Sequence, residues 1–400
     1  MNGKYFNGKR LKNGRLFRGL TLTELANRTE ISKQSISLYE NEKNIPDHQR
    51  VKRISKELNI PYEFFFQKDS FETITEVTYF RSLASATKLN RTAQSIKLDY
   101  VAKIYEILFE FIDFPILNLP NIEFNGTDDE FNKFEVLETQ KEIEEIAAEL
   151  REFWGLGEGP INNLQFVLEK NGLIVTGFDI NENKIDAFSQ MTSIDNQDMY
   201  FIAIALGNKP EGRINFDMAH ELGHILLHPW SENLELISKD EFKNREKQAN
   251  MFASAFLLPK DSFTKDIQAY PTDLEYYKYL KGKWKTSIQA MAYRAHQLDI
   301  ISDNQFQYMM RQISKKGWRT KEPGDVPYRL NENIFQGAID LLIEEEILHQ
   351  QDILQKFKKH GITLYREDIE KLLHLREGTL FYESSKPKII QLKDYLDEKK

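Results

Sequence analysis

The chain has 400 residues, of which 29% are charged and 40% hydrophobic, a composition typical of globular proteins that excludes wholesale disorder. Cysteine is absent, which excludes disulfide bonds, thiol catalysis and cysteine-ligated metals, so any metal must be held by His, Asp or Glu. No apolar run approaches the ~18–20 residues that a membrane span needs, and no secretory signal is visible. We therefore expect a cytoplasmic protein without a membrane partner.

The net charge of −8 is distributed unevenly. Residues 1–68 carry 14 Lys and Arg against 7 Asp and Glu, a net charge of +7, whereas the remaining 332 residues carry 40 against 55, a net charge of −15. A small basic head on an acidic body favours a head that binds a polyanion. Chance clustering of surface charge is the alternative.

Residues 8–67 are predicted to form four short helices joined by polar turns, because apolar residues recur there at helical spacing and no strand pattern appears. The apolar stripes are Leu11, Leu16 and Phe17; Leu22, Leu25 and Ala26; Ile36 and Tyr39; and Val51, Ile54 and Leu58.

The next part of the chain is predicted to be mainly helical over residues 69–113 and helical again from about Glu138 to Trp154. Between these helices, residues 114–131 contain two prolines and a glycine. We interpret this stretch as a linker or an extended crossing segment.

Three runs rich in β-branched and aromatic residues follow at 172–180, 184–191 and 199–206, separated by turn residues. They predict a small antiparallel sheet. The chain after them is helical to near its end, with a domain boundary at 322–327. The predicted fold class is therefore α+β: mostly α with a small antiparallel sheet.

Residues 216–229 read FDMAHELGHILLHP and place His220 and His224 four residues apart. On a helix, both imidazoles leave the same face about one turn apart, so two nitrogens can bind one Zn²⁺ at about 2.0–2.1 Å. Glu221, beside the first ligand, can act as a general base toward a metal-activated water. Apolar neighbours indicate a buried helix, and a close approach by another backbone would explain Gly223. Two core histidines bonded to carbonyls are the alternative.

A catalytic zinc site usually has three protein ligands. The segment 245–259 is predicted to be a helix, and Glu246 falls on its buried stripe, where a carboxylate needs a cation. A surface salt bridge is the alternative for Glu246. Asn250, one turn further on, and His228, at the end of the HExxH helix, are candidates for hydrogen bonds to the ligands. A direct bond to the metal is the alternative for His228.

The segments RINFDMAHELGHILLH and EKQANMFASAFLLP resemble the zinc metallopeptidases of the ImmA/IrrE family, as do KIDAFS before them and WKTSIQAMAYRA after them. The resemblance covers roughly residues 140–320. It implies a gluzincin-like peptidase domain in which an edge strand pairs with an extended substrate. Gln248 stands where many members have a second Glu. By this resemblance, one Zn²⁺ per chain is held by His220, His224 and Glu246, with Glu221 as the general base.

The segment LTLTELANRTEISKQSISLYENEKNIPDHQRVKRISKELNIPYEFFF resembles the XRE (Cro/C1-type) helix-turn-helix family and implies double-stranded DNA as a partner. In that family the third helix enters the major groove by its N-terminal residues. The implied base-edge contacts are Ser32, Lys33, Gln34, Ser35 and Ser37. Candidate phosphate contacts are Arg10, Arg15, Arg18, Lys43, Arg50 and Lys52. A helical module that binds protein instead of DNA is the alternative.

We therefore divide the chain into a helix-turn-helix domain (1–68), a helical connector and linker (69–135), a zinc metallopeptidase domain (136–321) and a helical C-terminal region (322–400).

By resemblance, the expected protein substrate is a helix-turn-helix repressor whose cleavage derepresses mobile-element or stress-response genes. A regulator that senses a ligand without cutting, or an antitoxin-like partner binder, is the alternative. A homodimer is one option for the oligomeric state.

Overall fold

The computed structural model describes residues 5–68, 75–80, 88–122, 140–178, 187–194, 197–207, 209–228, 237–330 and 332–381. Helices and a four-stranded sheet account for the regular structure in these ranges, which confirms the predicted α+β class. The predicted linker from residue 123 onward and residues 382–400 lie outside the described residues. None of the described helices is long and apolar enough to cross a membrane.

The basic head is all-α. Each of its four α-helices begins at a side chain that accepts a hydrogen bond from the first-turn backbone, namely Asn7, Thr21, Ser32 and Asp47. The predicted stripes meet in one core, where Leu11, Leu25, Ile36 and Ile54 have no exposed surface. Its elements are α1 (Gly8–Phe17), α2 (Leu22–Thr29), α3 (Lys33–Glu40), α4 (His48–Leu58) and a 3₁₀ helix (Tyr62–Phe66).

The segment after the head begins with a strand, β1 (Thr75–Phe80), where a mainly helical region was predicted. Its sequence TEVTYF is rich in β-branched and aromatic residues, and its pairing partner lies more than a hundred residues away, so local helical spacing could not reveal it. The long helix α5 (Lys88–Phe109) follows, and then α6 (Gln140–Phe153) and α7 (Leu164–Lys170).

The sheet has the strand order β1-β3-β4-β2, with β2 (Ile174–Phe178), β3 (Ala187–Ile194) and β4 (Gln197–Ala205). β3 is antiparallel to both β1 and β4, but β2 runs parallel to β4, so the prediction of a purely antiparallel sheet is wrong. β3 lies between β1 and β4, so β2 does not pair with the strand that follows it in the chain. All five β2 residues are buried, as is usual for a parallel strand covered on both faces.

The remaining helices are α8 (Glu211–Leu227), α9 (Lys239–Leu257), α10 (Lys260–Ile267), α11 (Leu274–Trp284), α12 (Ile288–Gln297), α13 (Asp303–Lys315), α14 (Ile334–Glu344), α15 (Gln350–Lys359) and α16 (Arg366–Leu373).

The sheet separates two hydrophobic cores because successive strand residues point to opposite faces. Phe188 and Ala203 face a core shared with the helix-turn-helix, α5 and α14–α16. Ala187, Ile202 and Ile204 face a second core that contains α6–α13. One sheet thus supports the basic head on one face and the helix that carries His220 and His224 on the other.

Helices α8 and α9 make a close backbone contact at Gly223. A Cβ atom at this position would lie 3.2 Å from Ala249 Cα, 3.3 Å from Ala249 O and 3.1 Å from Phe252 Cδ1. Ordinary packing leaves more space, so with any other residue here Ala249 or Phe252 would have to move by a few tenths of an ångström. The close approach expected from a mid-helix glycine is therefore present.

Substituting Gly223→Ala should destabilise the protein by about 1–2 kcal/mol, because overpacking against α9 outweighs the gain in helix propensity. The matched control is Gly337→Ala in α14, where a Cβ meets nothing within 4 Å. That change should stabilise by up to about 1 kcal/mol. Thermal unfolding of the two variants and the wild type measures both changes in stability. A higher midpoint for Gly223→Ala than for wild type would show that α8 and α9 can separate freely.

Candidate metal centre and DNA-binding surface

Three ligand atoms converge between α8 and α9. The Nε2 atoms of His220 and His224 are 3.0 Å apart, and Glu246 places Oε1 3.1 Å from His224 Nε2 and Oε2 3.5 Å from His220 Nε2. The two histidines are buried and the carboxylate is half-buried. Among the described residues, these three side chains form a group that could hold a metal ion.

The spacing of these atoms fits a tetrahedral zinc ion. With ligand bonds of about 2.0–2.1 Å, neighbouring donor atoms in a tetrahedron are about 3.3 Å apart, close to the distances between the three side chains. Two imidazoles and one carboxylate are also a donor set typical of catalytic zinc, which leaves a fourth position for water or substrate. The residues present therefore fit the predicted metal.

Asn250 fixes the tautomer of His220. Its Nδ2 donates to the backbone carbonyl of Glu246 at 2.7 Å, so its Oδ1 faces His220 Nδ1 at 3.1 Å and accepts a hydrogen bond from it. With the proton on Nδ1, the lone pair of His220 is on Nε2, which faces the metal position. Asn250 thus contacts one of the two predicted histidine ligands, and its role toward the metal stays a prediction.

A second chain of hydrogen bonds fixes the tautomer of His224. His228 Nε2 donates to Gln248 Oε1 at 2.9 Å, which leaves His228 Nδ1 to accept from His224 Nδ1 at 2.9 Å. Burial, with a contribution from His224, lowers the pKa of His228 well below its ordinary value, so the ring is neutral and can accept. Gln248, the departure from the family pattern, therefore orients a ligand through His228.

Glu246 is ionised at neutral pH. Burial on its own raises the pKa of the carboxyl, but its close contacts with the imidazoles of His220 and His224 outweigh burial and lower the pKa to about 2. An anionic carboxylate beside two imidazole nitrogens offers a divalent cation a negative ligand.

Glu221 lies on the sheet side of α8. It has no exposed surface, and its Oε2 accepts a hydrogen bond from Ser189 Oγ at 2.6 Å. Ser189 belongs to β3, in the segment KIDAFSQM, and sequence reasoning did not single it out. Strand alternation could have placed Ser189 on the same face as Ala187, but nothing local showed which helix residue it would meet.

On the DNA-binding side, the N-terminal end of α3 is open to solvent. Ser32, Lys33 and Gln34 are exposed, while Ser35 and Ser37 are half-buried. Ser32 also caps α3 by accepting from the Ser35 amide at 3.1 Å. Lys43, beyond the end of α3, is exposed as well. Contacts of these residues with DNA stay a prediction.

Three of the predicted phosphate contacts are instead structural. Arg15 is buried and forms a bidentate pair with Glu40, with nitrogen–oxygen distances of 2.6 and 2.8 Å. Such a buried pair is satisfied within the head. The prediction that Arg15 contacts phosphate is therefore wrong.

Arg10 and Arg18 join the head to the C-terminal helices. Arg10 has no exposed surface and donates to the carbonyl of Gly361, between α15 and α16. Arg18 forms a bidentate pair with Asp368 of α16 at 2.6 and 2.7 Å. Both guanidinium groups are occupied by partners about 350 residues away in the chain, so neither is available to phosphate and the prediction is corrected.

The fold and the site together define a helix-turn-helix protein with a candidate metallopeptidase centre. Comparison with known families agrees: residues 168–296 match the model of peptidase family M78 described as the IrrE N-terminal-like domain, and residues 8–70 match a helix-turn-helix domain. The chain thus combines an XRE-type helix-turn-helix domain with an ImmA/IrrE-like peptidase domain, in the predicted order. A search of curated proteins gave no significant match.

Substituting Glu246→Gln should lower zinc retention by orders of magnitude, because a neutral amide replaces the anionic ligand. Glu241→Gln on the same helix is the matched control and should keep the metal. His228→Ala should retain zinc, because His228 contacts a ligand but does not reach the metal position. The measurement is the zinc content per chain of each variant after dialysis. Full zinc in Glu246→Gln together with its loss in His228→Ala would point to a histidine-only site.

Proposed function

We propose that this protein is a DNA-binding zinc endopeptidase that cleaves a repressor-type transcription regulator. The observation that carries the peptidase assignment is the convergence of His220, His224 and Glu246 beside a buried Glu221. A purely structural zinc site has no need of such a carboxylate, so its presence favours cleavage over ligand sensing.

A bound zinc ion would supply the positive charge that polarises the scissile carbonyl and lowers the pKa of an attacking water. Glu221 would take the proton from that water and deliver it to the leaving amine. The hydrogen bond from Ser189 holds the Glu221 carboxylate in one orientation, and the apolar residues around α8 keep bulk water away from it. Asn250, His228 and Gln248 keep the imidazole lone pairs directed at the metal.

The exposed N-terminal end of α3 supports sequence-specific DNA binding by the head. Arg10 and Arg18, near the two ends of α1, attach the head to the C-terminal region. This attachment does not use the N-terminal end of α3, which stays accessible. We propose that the DNA-binding domain ends near residue 68 and that α14–α16 form the platform on which it is held.

The test of peptidase activity compares zinc-loaded wild type with Glu221→Gln on a proteome-derived peptide library, with new termini read by mass spectrometry. Wild type should give a reproducible set of cleavages. Glu221→Gln should keep its zinc and lose cleavage by at least about 100-fold, because the general base is removed. Ser189→Ala should keep zinc and cleave more slowly. Equal cleavage by wild type and Glu221→Gln would refute the proposed mechanism.

The test of DNA binding is selection of sites from a random double-stranded pool. Lys33→Ala combined with Gln34→Ala should abolish the enriched motif while much of the non-specific binding persists, whereas Lys141→Ala on α6 should change neither. With Lys43, Arg50 and Lys52 as the phosphate-facing cations, the log–log salt slope should be about −3. An unchanged motif in the double variant would show that α3 is not the reading helix.

A further inference from the structure

The strand that carries Ser189 has β1 on its outer side. In the order β1-β3-β4-β2, removing β1 would leave β3 as an edge strand. The edge at β2 is two strands away from β3, about 9–10 Å. The outer side of β3 is therefore the sheet edge nearest to Glu221, whose carboxylate contacts Ser189.

The pairing between β1 and β3 runs directly past Ser189. Tyr79 is the Cα partner of Ser189, Thr78 pairs with Gln190 and Val77 pairs with Met191. The strands are antiparallel, and the register shifts between Thr75 and Val77, which ends the regular ladder. Along this stretch, β1 already pairs with the backbone groups of β3 that an extended peptide could use.

An extended polypeptide that adds to a sheet gains main-chain hydrogen bonds along the edge strand. Here such a polypeptide and β1 compete for the same β3 groups. Because β1 belongs to the same chain, it competes with an effective concentration of roughly millimolar order. A free substrate strand at lower concentration would be excluded unless it bound more tightly or β1 were released.

We propose that β1 occupies the substrate-binding edge of β3, and that the polypeptide substrate takes its place as an antiparallel strand. This inference rests on the proposed peptidase function. What it adds is that Thr75–Phe80 blocks this edge until β1 is released. α5 follows β1 and packs on the head, where its Tyr100 ring is 5.3 Å from that of Phe17. A shift of the head would therefore displace α5, and through α5 it would act on β1.

The absence of native cysteine allows a clean test by disulfide locking. Thr78 and Gln190 are Cα partners, and such partners lie about 4.5–5.5 Å apart, within the range for a disulfide bond. Thr78→Cys with Gln190→Cys locks β1 in place when oxidised and releases it when reduced with a phosphine. Each single cysteine variant is the control for the redox treatment. Thr78→Pro has the opposite effect, because proline is poorly tolerated inside a paired strand.

The first measurement is independent of activity. A fluorescein-labelled peptide with the sequence of residues 73–82 is titrated into zinc-loaded full-length Glu221→Gln carrying each change. Fluorescence anisotropy should show binding at least about tenfold tighter in Thr78→Pro than in the oxidised double-cysteine variant. Zinc content and circular dichroism confirm that each variant is folded. Equal affinity in the two forms, or no binding to either, would overturn the proposal.

The second measurement repeats the changes with Glu221 intact and follows cleavage of the peptide library. Cleavage should be lost in the oxidised variant, return on reduction and increase in Thr78→Pro. If oxidised and reduced forms cleaved equally in a Glu221-dependent way, the proposed function would stand and the role of β1 would be refuted. If no form cleaved while the labelled peptide still distinguished locked from released β1, the edge assignment would stand and the peptidase function would fall.

Discussion

The close packing of α8 against α9 is the constraint on which the candidate site depends. Two imidazoles on one helix and a carboxylate on the next lie within 3.5 Å of one another in a mostly apolar interior. Polar groups are buried at a cost unless they are bonded or ligate a metal. Gly223 permits the contact, and Glu246 reaches both histidines because of it.

The hydrogen bonds around the candidate site all orient its side chains. Asn250 directs the Nε2 lone pair of His220 toward the metal position, and Gln248 does so for His224 through His228. Ser189 holds Glu221 from the sheet. The candidate ligands are thus oriented by α9 and the end of α8, while the candidate general base is oriented by β3. The same strand presents Phe188 to the opposite core, so the sheet joins the core around α8 to the core shared with the helix-turn-helix.

The parts of the structure that could be predicted from sequence are those that local spacing determines. The i, i+4 histidines share a helix face, and Glu246 and Asn250 share the next one, so the metal group followed from periodicity and a family resemblance. The apolar stripes of the head likewise determined its helices. Gly223 was informative because a glycine inside a helix is costly without a close contact.

The features that could not be predicted depend on residues far apart in the chain. Arg10 and Arg18 look like phosphate contacts in a basic head, but their partners Gly361 and Asp368 are about 350 residues away. β1 was assigned to a mainly helical region because its partner strand follows more than a hundred residues later. The antiparallel sheet indicated by the local turn signals also failed for β2, which pairs in parallel with β4 instead.

Zinc K-edge X-ray absorption on the zinc-loaded full-length protein tests the central claim most directly, because it counts the imidazoles around the metal. Two imidazole ligands in a nitrogen and oxygen shell at about 2.0–2.1 Å, with the rest of the shell oxygen, would agree with a site made by His220, His224 and Glu246. Three imidazoles would place His228 on the metal and contradict the roles given to Glu246, His228 and Gln248.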